Sequence, residues 1–316
     1  MTSAKKTDRW ILLRHRASRL SAAENFAGMR GMKLLLRVIA GLSLIHLLCQ
    51  CGGGVASVAG GRTEIVNVSA YDPKEKQRAG RGYSEHDVTA LRDNGAAGLI
   101  ARAGKGGELD GKCYDFLHAS DNAGMLIGVY YRTTQGVSVI SQADQFVNRV
   151  QSLAQRIDWR QERLLLCADF DADSSTTQMI QFLDRVKQRT GVDCVVYLEN
   201  SEHLRVTLHN ASDSVKNRLR RSPYWAALYS HDGGACKAFP APGTATGLTH
   251  QYNTWRSWSI WQYGGVAWEN RRSSPKVYRG FSPYFGNLDR PVERNIFRGN
   301  REELKQFWTR HGIPLR

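Results

Sequence analysis

The chain has 316 residues, 41% hydrophobic and 23% charged, a composition that excludes disordered, collagen-like and fibrous proteins and leaves an ordinary globular one. Its formal net charge of +15 at pH 7 points to an anionic partner surface. No nucleic-acid-binding motif accompanies that charge, so nucleic acid is not expected as the partner.

The first sixty residues stand apart. Lys5, Lys6, Arg9, Arg14, Arg16 and Arg19 precede Arg30, Lys33 and Arg37, and the apolar run Val38–Leu48 follows, with Ser57-Val58-Ala59 at cleavage spacing. That order is the pattern of an export signal, and the run is too short for the roughly 20 apolar residues that a spanning helix needs. Residues 1–60 are therefore expected to be a basic leader and signal peptide, and 61–316 a single exported domain, in the periplasm, the cell envelope or outside the cell. A lipid anchor at Cys51 is the other outcome, although Leu48-Cys49-Gln50-Cys51 departs from a lipobox at Gln50. The leader holds nine of the 44 basic and two of the 29 acidic residues, and the remainder is still basic at about +8. Of the cysteines beyond it, Cys113, Cys167, Cys194 and Cys236, none is spaced as a zinc ligand, and Cys167 and Cys194 fall in apolar runs that predict buried free thiols. No metal or cofactor is expected, and a monomer is.

From residue 64 apolar, β-branched runs alternate with helical periodicity, the signature of parallel βα units. The runs are Glu64–Tyr71, Ala97–Ala103, Leu126–Thr133, Arg163–Asp171 and Cys194–Leu198. Between the third and fourth, Ala143, Phe146, Val147, Val150, Leu153, Ala154 and Ile157 recur at helical steps. After the fourth, Met179, Ile180, Phe182, Leu183 and Val186 form a second stripe, with hydroxyls at 174–176 to start the helix and Thr190-Gly191 to end it. Beyond residue 222 the strand-like runs Tyr224–Tyr229, Trp258–Tyr263 and Val292–Phe297 are joined by loops. Five βα units followed by three β-strands predict an α/β TIM-like barrel. No Gly-x-Gly-x-x-Gly follows the first strand to favour a nucleotide-binding open sheet.

In such a barrel the active site lies at the C-terminal strand ends. Those ends carry Asn67, Ser69 and Tyr71; Tyr130 and Tyr131; Asp169, Asp171 and Asp173; Tyr197 and Glu199; Tyr229; Trp261, Gln262 and Tyr263; and Glu293 with Asn295. Carboxylates ringed by aromatics suit a glycosidase, because rings stack on sugar faces while acids move protons. Asp173 reads as a helix N-cap. Asp169 and Asp171 alternate with Phe170, which predicts that both point into the barrel. Between Tyr263 and Glu293, Arg271, Arg272, Lys276, Arg279 and Arg290 accompany Tyr278, Phe281, Tyr284 and Phe285, either to hold substrate carboxylates or as a solvated loop.

Taken in order, Gly128-Val129-Tyr130-Tyr131, Gln142-Ala143-Asp144-Gln145-Phe146, Asp169-Phe170-Asp171, Tyr224–Tyr229, Trp258–Tyr263 and Glu293–Gly299 resemble the successive blocks of glycoside hydrolase family 25 lysozymes, over roughly residues 64 to 308. The resemblance implies a muramidase that cuts the β-1,4 bond between N-acetylmuramic acid and N-acetylglucosamine of peptidoglycan, on a barrel of five βα units and three strands. It places the family's Asp-x-Glu on Asp169 and Asp171, its strand-one Asp on Asn67, and its strand-eight Asp on Glu293. Asp171 is then expected as the acid, with Asp169 and Glu293 stabilising the developing positive charge. Asn67, Tyr130, Tyr197, Tyr229, Trp261 and Tyr263 are expected to contact the glycan. Asn67 cannot act as a carboxylate, and Asp171 is a methylene shorter than Glu. These departures keep open a peptidoglycan-binding protein that no longer cleaves.

Overall fold

The computed structural model describes residues 63–72, 84–156, 158–199, 201–227, 254–266, 275–277 and 292–316. Residues 1–62, which include the expected leader and Cys51, together with Ile157, Cys236, Tyr229 and most of the basic-aromatic segment between 264 and 292, lie outside the described residues. The strands are β1 (Thr63–Val68), β2 (Ala96–Lys105), β3 (Glu108–Leu109), β4 (Leu126–Arg132), β5 (Arg163–Phe170), β6 (Val195–Leu198), β7 (Tyr224–Ala227), β8 (Ile260–Val266), β9 (Pro275–Val277), β10 (Glu293–Phe297) and β11 (Gly312–Pro314). The helices are α1 (Glu85–Asp93), α2 (Cys113–Asn122), α3 (Val139–Ala154), α4 (Thr176–Thr190), α5 (Glu202–His209), α6 (Asp213–Leu219) and α7 (Arg301–His311).

Eight strands close a barrel in the order β1-β10-β8-β7-β6-β5-β4-β2, with β2 returning to β1. Seven run parallel, and β10 is antiparallel to both β1 and β8. The direction of β10 matters for the site, because its first residue, Glu293, then lies at the end of the barrel where the other strands finish. The short strands hang on this frame. β3 turns back on β2, β9 on β8, and β11 covers the stretch of β5 that β6 leaves open.

The helices start where the sequence supplies caps. Ser84 with Asp87, Ser175 with Gln178 and Asn300 with Glu303 each form a reciprocal capping box. Ser175 therefore starts α4, and the cap predicted on Asp173 is not formed. Gly191 ends α4 at φ +77°, a left-handed conformation that a side chain would strain. The stripe of α3 is buried as its periodicity predicts.

Two apolar layers result. Outside the barrel, Tyr131, Phe146, Phe170 and Phe182 pack ring against ring between β4, β5, α3 and α4. Inside it, Ile65, Ile100, Leu165, Cys167, Val195 and Ile260 fill the lower barrel. Leu304 and Trp308 of α7 belong to this inner cluster, and Trp308 Nε1 donates to the Ile127 carbonyl at 2.7 Å. The last helix, which the sequence reading left out, is thus the plug at the base of the barrel. Cys113, Cys167 and Cys194 are buried free thiols. Cys167 and Cys194 meet that expectation.

Candidate active site

The upper ends of the strands surround a cleft of about 460 Å³. Strand register sets its floor: Arg132, Asp169, Tyr197 and Trp225 are lateral neighbours across β4, β5, β6 and β7. All four line the cleft, together with Asn67, Tyr130, Gln262 and Glu293. Trp225 meets Tyr197 edge-on at 5.1 Å between ring centroids and Tyr130 at 6.5 Å, giving one wall of aromatic surface. Arg102, Lys105 and Arg132 give another wall its positive charge.

Asp169 and Asp72 are both buried acids of the cleft, and Asp169 is 6% exposed. Its Oδ2 lies 3.6 Å from the Arg132 guanidinium, while Oδ1 has no hydrogen-bond partner among the described residues. Burial pushes its carboxyl up to about 7, a rise that Arg132 opposes and Glu199 reinforces. Burial wins because the pairing with Arg132 is long and shared. The same guanidinium reaches Glu199 Oε2 at 3.7 Å. An acid poised near neutrality in a cleft is what proton donation to a leaving oxygen needs.

Opposite it lies an amide network. Asn67 Nδ2 donates to Glu293 Oε2, and Gln262 Nε2 donates to the same oxygen at 3.2 Å. Asn67 Oδ1 accepts from Gln262 at 3.1 Å and from Asn295 at 2.8 Å. Tyr197 Oη donates to Gln262 Oε1 at 2.7 Å, and Trp225 Nε1 to Asn295 Oδ1 at 2.8 Å. The network explains Asn67. With Glu293 one side-chain length away, a carboxylate at 67 would face a second carboxylate, whereas the amide donates to it. Asn67→Asp is therefore expected to raise the folded-state pKa of one member of the pair above its unfolded value. A raised carboxyl gives stability that is present at low pH and lost as pH rises through the folded value. The melting temperature of the variant should fall more than the wild type's between pH 5 and pH 8, by an amount equivalent to about 1–3 kcal/mol. Parallel pH responses would contradict the contact.

Asp72 and Asp110 hold the loop after β1. Asp72 Oδ2 accepts from the Ser69 backbone at 2.7 Å, and Asp110 Oδ2 from Ala70 N–H at 2.8 Å and Arg102 Nε at 3.0 Å. Arg102 in turn covers the Tyr71 ring at 4.9 Å.

Of the residues expected at the site, the structure brings together Asp169, Glu293, Asn67, Tyr130 and Tyr197. Trp261 and Tyr263 are fully buried in the layer outside the barrel. Side chains alternate along β8, so Gln262 alone of that triplet faces inward. Asp171 is not among the lining residues. β5 ends at Phe170, and past that point the alternation no longer applies. Asp171 N–H donates to Thr133 Oγ1 at 3.1 Å, and its own Oδ1 accepts from Asp173 N–H at 3.1 Å, so the carboxylate caps a turn. The sequence reading did not pick Arg132, Arg102 and Trp225. Arg132 follows inward Tyr130 by two residues, and Trp225 alternates with Tyr224, which packs outward on Trp255 at 4.7 Å; parity along each strand was the signal.

With this geometry, the comparison with known proteins is decisive. The sequence model for glycosyl hydrolases family 25 matches residues 81–267. The chain belongs to that family. Its fold is similar to a bacterial lysozyme from Streptomyces coelicolor, at 20% identity and a TM-score of 0.52, covering 80% of this chain and 98% of that one. It is also similar to a family 25 lysozyme from Aspergillus fumigatus, at 16% identity and 0.52, covering 78% and 99%. A third likeness is to a muramidase from Acremonium alcalophilum, at 16% and 0.50, covering 77% and 97%. No curated protein matches the chain. At these identities the likeness is one of fold, and it agrees with the barrel of five βα units followed by three strands. Within the family 25 barrel, the cleft described above lies where the expected active-site end of the strands is.

Proposed function

We propose that this family 25 glycoside hydrolase is a lysozyme that cleaves the β-1,4 bond between N-acetylmuramic acid and N-acetylglucosamine in peptidoglycan. The observation that carries the reading is Asp169, a buried carboxyl held near 7 at the floor of an aromatic and cationic cleft on the family's barrel. Asp169, rather than Asp171, gives its proton to the glycosidic oxygen as the bond to the anomeric carbon breaks. Glu293, held by Asn67 and Gln262, supplies negative charge toward the oxocarbenium-like sugar. Tyr197 offers ring surface to the sugar with the buried rings of Tyr130 and Trp225 packed behind it, and Arg102, Lys105 and Arg132 attract the lactyl and peptide carboxylates of the wall.

Incubation of the full protein with purified peptidoglycan is expected to release soluble muropeptides. Binding of the insoluble wall without release would favour the second reading, a lysozyme-derived binding protein. That reading draws on Asn67, Asp171 and Glu293, which change three of the family's carboxylate positions.

The same reading places the protein outside the cytoplasm, as a monomer acting on the wall. N-terminal sequencing of material from native cells should find a chain starting near Gly60, or a blocked, lipid-modified Cys51. An intact leader on a cytoplasmic protein would contradict export.

A further inference from the structure

We propose that Glu199 is a catalytic residue of this enzyme, the base that activates the attacking water. The proposal rests on the glycosidase reading above and concerns which second carboxylate works with Asp169.

Geometry selects Glu199. Tyr197 and Glu199 both line the cleft, and Glu199 is the first residue past the end of β6. Asp171, the residue that the family's spacing points to, spends its Oδ1 on a turn and does not line the cleft. Of the other carboxylates lining the cleft, Glu293 is held by Asn67 and Gln262 and Asp72 by Ser69, whereas Glu199, which directly follows β6, shares Arg132 with Asp169. Arg132 joins the two, with one guanidinium nitrogen 3.6 Å from Asp169 and the other 3.7 Å from Glu199. Glu199 has about a third of its side-chain surface exposed, against about a tenth for Asp169. The more solvated partner is the one beside which a water can enter, and the more buried one is suited to carry a proton.

The step balances as follows. Asp169 transfers its proton to the glycosidic oxygen, the bond from that oxygen to the anomeric carbon breaks, and the released sugar leaves with a free hydroxyl. A water oxygen forms the new bond to the anomeric carbon, and its surplus proton passes to Glu199. Solvent then returns a proton to Asp169 and removes one from Glu199.

The test is release of muropeptides from purified peptidoglycan by the full-length wild type, Glu199→Gln, Glu199→Ser and Asp171→Asn, each checked by thermal unfolding. Glu199→Gln is expected to lose on the order of a hundredfold in turnover, and Asp171→Asn less than about tenfold. Glu199→Ser leaves space where the carboxylate was, and added azide, which attacks without a proton to lose, should restore turnover and yield a glycosyl azide. If Glu199→Gln does not fold, Glu199→Ser with azide carries the test alone. Near-wild-type turnover in Glu199→Gln would overturn the proposal, and so would a folded Glu199→Ser that azide cannot rescue. A wild type that binds the wall and releases nothing would instead remove the hydrolase reading itself, so the two failures are distinct.

Discussion

Asp169→Asn is expected to lower peptidoglycan cleavage by about 10²–10⁴-fold, the range that a positioned general acid contributes. The variant keeps the shape of the side chain and its place beside Arg132. It removes the only proton that the proposed step can deliver to the leaving oxygen. In the wild type the same group sets a limb of the pH profile. With a carboxyl at about 7, the protonated acid is depleted as pH rises through that value, and cleavage should fall on the alkaline side. The profile of the residual activity in Asp169→Asn should lack that limb. Stability should move the opposite way. Unfolding returns the carboxyl to its ordinary range near 4, so the wild type loses stability between about pH 4 and pH 7 as the unfolded state releases its proton first. The neutral amide is free of that loss, and the melting temperature of Asp169→Asn relative to wild type should climb across the same interval. A variant that cleaves at the wild-type rate would show that the proton comes from elsewhere.

Trp308→Ala is expected to cost about 3–5 kcal/mol of folding stability, the range for removing a fully buried large aromatic. Trp308 is 1% exposed, joins the cluster inside the barrel from below, and donates its indole N–H to the β4 backbone. Its loss opens a cavity under Ile100, Leu165 and Ile260 and leaves the Ile127 carbonyl without that donor. Denaturant unfolding of wild type and variant measures the difference. A change below about 1 kcal/mol would mean that α7 packs against the barrel without supporting it.

The first five strands and the helices α3 and α4 were legible in the sequence for a simple reason. Buried parallel strands read as continuous apolar runs, and amphipathic helices carry a stripe, so both patterns survive without tertiary knowledge. The same reasoning located the cleft's carboxylate Asp169 and the aromatic residues Tyr130 and Tyr197. Three features were hidden for three different reasons. The direction of β10 depends on the path of the chain between β8 and β10, and nothing within Glu293–Phe297 encodes it. The helix α7 is short and follows the last barrel strand, and its signals are local: Asn300 with Glu303 as a cap and Leu304, Phe307 and Trp308 at helical steps. At the strand ends, parity holds only while the backbone remains in the ladder. It places Gln262 inward and Trp261 and Tyr263 outward, and it stops at Phe170, before Asp171. Residue type alone favoured the two aromatics and the second Asp, and none of the three lines the cleft.

The central claim is that this family 25 barrel cleaves on the muramic acid side of the glycan. Digestion of purified peptidoglycan, borohydride reduction of the products and identification of the reduced sugar tests it most directly. Muramidase action predicts new reducing ends at N-acetylmuramic acid, converted to the muramic alditol. Reduced ends at N-acetylglucosamine, or no new reducing ends from a folded protein that binds the wall, would contradict it.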